Sequence, residues 1–175
     1  MKTVALFGTS HRYQIPGGAE SQFRVAIEKA CLHLKIRAIG EEFCAQELTN
    51  RNVDASISQR IAERFSIQHR YCDLNSAERE RLGVRHENII RTEGWLLSWE
   101  PERIEREVRA SHSIRERHWL SQILDMNCWP TLFVCGADHV LPFRKRLEAN
   151  GITVQVIESD WEPRRLKRWA RGHSF

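Results

Sequence analysis

The sequence predicts an α/β protein of three layers, in which an open, mostly parallel sheet carries helices on both faces. Two observations support this fold class. Short runs of apolar and β-branched residues alternate along the chain with segments whose apolar residues recur at helical spacing. The short runs are nearly continuous in their apolar character, which is typical of parallel strands that are buried on both faces. We therefore expect right-handed helical crossovers between the strands.

Five short runs are strand candidates. The run 130–135 is the clearest of them and ends at Gly136, and the first run similarly ends at Gly8. The run 66–72 is the weakest, because His69 and Arg70 interrupt its apolar pattern. The expected strands cover residues 3–7, 36–39, 66–72, 130–135 and 152–157.

Helices are expected between these strands. Pro101 suits the first turn of a long helix that reaches Asn127, and Asp138 can cap the helix that runs to Asn150. The expected helices cover 19–34, 57–65, 76–83, 101–127 and 138–150. Residues 84–99 show no clear pattern, and we expect a loop or lid there.

A chain of 175 residues with 41% hydrophobic residues fits one domain with one core, which we place at residues 1–160. The first apolar run is too short for a signal segment or a membrane span. The five cysteines are odd in number and contain no CxxC pair, which indicates reduced, mostly buried thiols. We therefore expect a cytoplasmic protein with no membrane partner.

The last fifteen residues, 161–175, form a basic tail. They carry five basic residues against one acidic residue, which accounts for the whole net charge of +4. Trp161 and Trp169 lie among these cations, a composition typical of a strip that contacts phosphates and stacks on bases. The tail would then bind a nucleic-acid or protein partner. Alternatively, the helical face of Leu166, Trp169 and Ala170 docks on the body and needs no ligand.

Two tetrads of the same form follow strands. Both 8–11 and 136–139 are Gly-x-x-His, and each lies at a strand-to-helix turn. Glycine allows the sharp turn, and the histidine three residues later can project over the carboxyl end of the sheet, where open parallel sheets bind ligands. His11 and His139 could therefore meet Glu42, which follows the second strand. Two histidines and one carboxylate are a metal-ligand set that leaves positions open for water. The alternative is that each histidine caps its own turn.

Three other acidic residues have competing interpretations. Glu41 and Glu42 are adjacent and point to opposite faces of a strand, so only one can serve the site. Glu116 shares a helical stripe with apolar residues, which indicates either a general base with a raised pKa or a structural partner of His112 or Arg115. Asp73, at the end of the third strand, is a candidate ligand or a turn-forming residue.

These residues resemble motifs of the Tiki/TraB family and of the wider erythromycin-esterase/ChaN-like superfamily. The similarity covers residues 4–43 and 115–157 and includes both Gly-x-x-His tetrads, Glu42-Phe43 and Glu116-Arg117, in the same order. This chain has His118 where TraB-type sequences have aspartate. Because the Tiki members are regarded as metal-dependent proteases, the resemblance implies a bound divalent ion and the hydrolysis of a peptide or ester bond.

We therefore predict a metal-dependent hydrolase. A transition metal such as manganese or zinc would be held by His11, Glu42 and His139, and it would acidify a bound water. Glu116 would activate or orient that water, and Glu42 is counted with it as a catalytic carboxylate.

The substrate would be a small molecule or a peptide, and its candidate contacts are Arg12, Asp73 and Arg144. A phosphate-containing small molecule would suit the two arginines. The alternative from another class is a non-catalytic module, which senses a nucleotide or other ligand in the same crevice or recruits a partner through the basic tail.

Overall fold

A computed structural model describes residues 1–164 of the chain, and its centre is one sheet of five strands. The strands are β1 (Thr3–Thr9), β2 (Ala38–Glu41), β3 (Gln68–Tyr71), β4 (Thr131–Gly136) and β5 (Thr153–Trp161). They lie in the order β3-β2-β4-β1-β5, and every neighbouring pair is parallel. The predicted α/β class with a parallel sheet is confirmed.

Eight helices and one 3₁₀ turn connect the strands within the described part of the chain. They are α1 (His11–Gln14), α2 (Glu20–Leu34), α3 (Ala45–Asn50), α4 (Ile57–Phe65), α5 (Ser76–Arg81), α6 (Glu87–Leu96), α7 (Pro101–Met126), the 3₁₀ turn Ala137–His139, and α8 (Val140–Ala149). In residues 1–164, no helix has both the length and the apolar character needed to cross a membrane.

The core has two halves, one on each face of the sheet. Successive residues of a strand point to opposite faces, and in β1 this sends Ala5 and Phe7 to one side and Val4 and Leu6 to the other. On the first side, α2 and α4 contribute Phe23, Ile27, Ile57 and Ile61. On the second side, α7 and α8 contribute Trp119, Ile123, Phe143 and Leu147. Helices therefore cover both faces of the sheet, as predicted.

The connections that follow the neighbouring strands β1 and β4 run along opposite faces of the sheet. The connection after β1 passes through α2 on the first face, whereas the connection after β4 passes through α8 on the second face. In open parallel sheets, a crevice forms at the carboxyl ends of strands where the direction of the connections reverses. The topology therefore opens a crevice at the end of β1 and β4, where the two Gly-x-x-His tetrads lie.

Residues 84–99, for which we expected a loop or lid, contain helix α6. This helix packs on α7 through Ile90 and Gly94. A Cβ atom added at Gly94 would lie 2.6 Å from Cγ1 of Ile104 on α7, so glycine allows the two helices to approach closely. The helix buries only this narrow strip, and its sequence therefore lacks the broad apolar stripe that would have predicted it.

Strand β5 continues to Trp161, beyond the predicted strand 152–157 and one residue beyond the end of the domain expected at residue 160. The hydroxyl of Thr9 donates a hydrogen bond to the carbonyl of Trp161 at 2.9 Å. The indole ring lies 5.3 Å from the Phe23 ring, 5.6 Å from the Tyr13 ring and 6.3 Å from the Phe7 ring. Trp161 thus belongs to the body of the protein. The rest of the basic tail, for which partner binding was predicted, falls outside the described residues. The alternative docking face of Leu166, Trp169 and Ala170 lies there too.

All five cysteines are free. Cys31, Cys72 and Cys135 are buried, whereas Cys44 and Cys128 are half-buried. Burial raises the pKa of the Cys31 and Cys72 thiols to about 12, which keeps them protonated and unreactive at neutral pH. The burial of three of the five thiols agrees with the expectation of mostly buried cysteines.

Candidate functional site

The carboxyl ends of three strands meet at a cavity of about 350 Å³. Thr9 and Gly136, the last residues of β1 and β4, are paired in the sheet. The backbone N–H of Glu42, directly after β2, donates to the carbonyl of Val134 on β4 at 2.9 Å. His11, Glu42 and His139 all line the cavity. The structure therefore brings together the three residues predicted to form the centre of the site.

Glu42 is the hub of this cluster and is almost completely buried. Its Oε2 atom accepts a hydrogen bond of 2.7 Å from the backbone N–H of Gly136 and lies 3.3 Å from Nε2 of His11. Its Oε1 atom lies 3.5 Å from Nε2 of His139 and contacts Nη2 of Arg115. One carboxylate thus joins groups that come from β1, β4 and α7.

Gly136 leaves the room in which these side chains converge. A Cβ atom at this position would lie 3.3 Å from Oε2 of Glu42, 3.5 Å from Nε2 of His11 and 3.6 Å from Cδ2 of His139. The glycine of the second Gly-x-x-His tetrad therefore lies in direct contact with the site, and a Cβ atom there would crowd the carboxylate of Glu42.

Arg115 is the main residue that the sequence did not place in the site. Its guanidinium is buried and bridges two carboxylates, those of Glu42 and Asp73. Nε of Arg115 donates to Oδ1 of Asp73 at 3.0 Å, and Nη2 donates to Oδ2 at 2.8 Å. The available signal was helical spacing, because Val108, Arg115 and Trp119 lie on one stripe of α7, and that stripe is buried.

Asp73 was expected to contact the substrate, and this assignment needs correction. Its carboxylate is buried and is occupied by Arg115, by Arg79 and by the indole N–H of Trp119, which donates at 2.9 Å. Burial raises the pKa of Asp73, but the two guanidinium groups lower it by more, so the net pKa lies below the ordinary value. Asp73 therefore anchors α7 to the end of β3 as a permanent anion.

Glu116 fixes the orientation of His139 through a hydrogen bond. Nδ1 of His139 donates to Oε1 of Glu116 at 3.0 Å, and Glu116 itself is buried, outside the residues that line the cavity. The structural partner that we expected for Glu116 exists, but it is His139 rather than His112 or Arg115. The edge of Trp119 and the ring of His112 also confine the His139 ring, at centroid distances of 4.7 and 4.3 Å.

This arrangement fixes which nitrogen of His139 faces the cavity. Whenever the imidazole is neutral, a hydrogen bond from Nδ1 to a carboxylate leaves the lone pair on Nε2. Nε2 lies 3.4 Å from Nη1 of Arg115, and both residues line the cavity together with His11. A buried carboxylate that orients an imidazole in this way is the usual support of a histidine general base.

The charges of the cluster favour a cationic His11 opposite an anionic Glu42. Burial lowers the pKa of His11, but the carboxylate of Glu42 raises it by more, and the net pKa lies above the ordinary value. Burial likewise raises the pKa of Glu42, but Arg115, His11 and His139 hold it well below its usual range. Burial, His139 and Arg115 together lower the pKa of His112, so this neighbour stays neutral.

The two arginines expected to contact a substrate lie outside the cavity lining. Arg12 is exposed and stacks on the ring of Tyr13, with its Cζ atom 4.6 Å from the ring centroid. Arg144 is exposed on α8 and pairs with Glu148 at 2.8 Å. Both were predicted because they lie near a site histidine in the sequence, but such proximity does not fix where a side chain points, and on a helix Arg12 lies about 100° from its neighbour His11.

Glu41 points to the opposite face of the sheet from Glu42, as expected for adjacent strand residues. It accepts hydrogen bonds from the hydroxyl of Ser56 and from Nε2 of His69, the latter at 2.6 Å. This buried cluster fixes the start of α4 against β3 and lies away from the cavity. Glu42 is therefore the one of the pair that serves the site.

The donor set suits a divalent ion only if Arg115 moves. The 3.3 and 3.5 Å separations between Glu42 and the two histidines match ligands that share an ion at about 2.0–2.2 Å. However, the guanidinium of Arg115 already contacts Oε1 of Glu42 and faces Nε2 of His139, and it cannot lose its proton. Across residues 1–164, no three His, Cys, Asp or Glu side chains have the arrangement of a ready metal site.

Comparison of the chain with family models, with curated proteins and with solved structures finds no match. The Tiki/TraB resemblance therefore stays a prediction of the sequence motifs.

Proposed function

We propose that this protein is a hydrolase that cleaves an ester or peptide bond in the cavity at the ends of β1, β2 and β4. The observation that carries the proposal is His139, which lines the cavity and whose Nδ1 is held by buried Glu116, while its Nε2 lies beside Glu42 and Arg115. Acyl transfer to water needs a general base, which an oriented imidazole can provide, and a cationic group beside it that stabilises the oxyanion.

His139 would act as the general base. It takes a proton from water at Nε2 while the water oxygen attacks the carbonyl carbon of the substrate. The resulting imidazolium has a carboxylate on each side, Glu116 at Nδ1 and Glu42 Oε1 at 3.5 Å from Nε2, and the guanidinium of Arg115 at 3.4 Å from Nε2. When the tetrahedral intermediate collapses, the bond to the leaving group breaks and Nε2 returns the proton to that group.

His11 would stabilise the developing oxyanion. Its side chain is 34% exposed at the cavity, and the carboxylate of Glu42 raises its pKa, which favours the protonated imidazole. A protonated imidazole can donate to a carbonyl oxygen as negative charge accumulates there. Arg115 acts through other groups as a positioning residue, because its guanidinium is already committed to Glu42 and Asp73.

The proposal includes the predicted divalent ion, manganese or zinc. His11, Glu42 and His139 would hold it, and when bound it would supply an acidified water. Because binding requires Arg115 to leave Glu42 and His139, the steps above use only the side chains.

The test is hydrolysis of a panel of p-nitrophenyl esters and chromogenic peptides, with metal content measured by elemental analysis of the same preparation. We expect His139→Gln to abolish turnover and Glu116→Gln to reduce kcat by about 10²–10⁴-fold. His33→Gln, an exposed histidine on α2, is the matched control and should match wild type. If no ester or peptide is cleaved by folded wild type, with or without added Mn²⁺ or Zn²⁺, the hydrolase proposal is wrong.

A second candidate is the ligand-sensing module. Arg51, Arg79 and Arg85 line the same cavity as Arg115, and this concentration of guanidinium groups favours an anionic ligand such as a nucleotide. Tight nucleotide binding by a protein that cleaves nothing would support this candidate over the hydrolase. Each of these arginines also has a carboxylate partner, which is why the hydrolase is preferred.

A further inference from the structure

We propose that the substrate carries an aliphatic acyl chain, which lies along an apolar groove on the outer face of α6. The inference rests on the proposed hydrolase function, and it adds the chemical class of the group on the acyl side of the bond. It is carried by the apolar lining of the groove, by its position next to the cavity and by the local balance of charge.

The groove has a volume of about 770 Å³ and lies along α6 and its carboxyl end. Its apolar lining is Ile89, Leu96 and Leu97, which are 53%, 66% and 59% exposed. Ile89 and Leu96 are seven residues apart, which places them on one side of the helix about 10 Å from each other. The lining is therefore long enough to contact several consecutive methylenes of an extended chain.

These apolar side chains are not needed to hold the helix in place. Helix α6 is fixed by its other side, where Ile90 and Gly94 are buried and the tight packing of Gly94 against Ile104 of α7 joins the two helices. Within residues 1–164, Leu96 remains two-thirds exposed, although a polar side chain would serve equally well on a solvent-facing helix side. A patch of this kind beside a cavity indicates a binding role.

The groove and the cavity are adjacent. Arg85, just before α6, and Asn88, in its first turn, line both of them. A chain that leaves the carbonyl near His139 would pass Asn88 to reach Ile89. This adjacency favours the acyl part of the substrate over an unrelated partner, because the occupant of the groove and the reacting group can belong to one molecule.

The charges at this junction favour an uncharged chain. Arg85 contacts Glu93, and its other nitrogen lies 3.4 Å from Glu107, so its charge is compensated locally. Glu93 also lines the groove and would repel an anionic tail. A neutral alkyl chain meets neither a free cation nor a desolvated anion along this path.

The first test uses p-nitrophenyl esters of increasing chain length. A fully buried methylene contributes about fourfold to binding, so in a groove that covers half of each methylene we expect about twofold, or about 16-fold from butyrate to octanoate in kcat/KM. Leu96→Asn should remove most of this gain while hydrolysis of p-nitrophenyl acetate stays within about twofold. Leu32→Asn, which replaces a leucine that is 69% exposed on α2, should leave the gain intact.

The second test separates the groove from the chemistry. Methyl ketones carry a carbonyl but no leaving group, so calorimetric titration with 2-pentanone and 2-nonanone measures chain binding without turnover. We expect about 16-fold tighter binding of 2-nonanone, which has four more methylenes, and its loss in Leu96→Asn. This preference in a protein that cleaves no ester would reject the hydrolase and keep the groove.

Three outcomes would overturn the inference. The first is ester hydrolysis whose rate does not change with chain length. The second is equal or undetectable affinity for the two ketones. The third is a dimer in sedimentation that Leu96→Asn dissociates, together with no chain-length preference, which would assign this face to a second copy of the chain.

Discussion

Replacing Arg115 with methionine is expected to destabilise the protein by about 3–5 kcal/mol, because it leaves two buried carboxylates without their shared cation. Asp73 keeps Arg79 and the indole N–H of Trp119, whereas Glu42 loses its principal positive partner. The cost should therefore come mainly from Glu42. In a domain of this size it corresponds to a fall in Tm of about 6–20 °C.

The pH dependence of this loss identifies its cause. The pKa values of Glu42 and Asp73 are lowered in the folded state, so their contribution to stability is present above the ordinary values of 4.5 and 3.8. The contribution disappears as the pH falls through the lowered values. Urea unfolding of wild type and Arg115→Met should thus differ most at pH 7 and converge in acid.

The matched control is Arg117→Met, an exposed arginine two residues away on α7, which should change stability by less than about 0.5 kcal/mol. A loss below about 1 kcal/mol for Arg115→Met, or a loss that does not change between pH 7 and pH 3, would refute the buried-pair explanation.

Three further outcomes are expected. Gly8→Ala should lower the unfolding free energy by about 1–3 kcal/mol in urea titrations, because a Cβ atom there would lie 2.2 Å from a backbone oxygen of β5. An unchanged urea midpoint would contradict this close approach. The rate of ester hydrolysis should fall as the pH rises through the raised pKa of His11. His11→Gln should be slower, and its pH–rate profile should lack this alkaline limb. An identical limb in the variant would exclude His11 as the acidic group. Truncation after Arg164 should keep the Tm of the full chain within a few degrees. Truncation after Asp160 should lower the unfolding free energy by about 2 kcal/mol more, because it removes half-buried Trp161. Equal melting curves of the two truncated proteins would show that the Trp161 ring contributes nothing to stability.

The sheet and the meeting of His11, Glu42 and His139 could be predicted because both follow from the order of residues along the chain. A buried apolar run marks a strand, and a glycine at its end marks the turn toward the ligand crevice. Once the strands are parallel, all residues that directly follow them lie at one edge. Local sequence therefore determines which strand ends carry polar groups, and the topology brings them together.

The partners of those groups could not be predicted in the same way. Arg115 is 73 residues from Glu42 in the sequence, and its contact depends on the rotation of α7 about its axis. The spacing of the apolar residues fixes that rotation only to within about one residue, which cannot separate a buried arginine from an exposed neighbour such as Arg117. Arg12 and Arg144, which were chosen for their proximity in sequence to the histidines, are exposed and lie outside the cavity lining. Helix α6 was missed because it buries one narrow strip.

One helix completes the site from two consecutive residues. Neighbours on a helix point about 100° apart, so Arg115 faces the ends of β2 and β3 while Glu116 faces the end of β4. The cation that keeps Glu42 ionised and the carboxylate that orients His139 therefore arrive together when α7 docks on the sheet. A helix rotated by one position would lose both contacts at once. The orientation of His139 and the neutralisation of the buried carboxylate therefore both depend on the docking of α7, so the proposed hydrolysis would require the packing of α7 as well as the strand-end motifs.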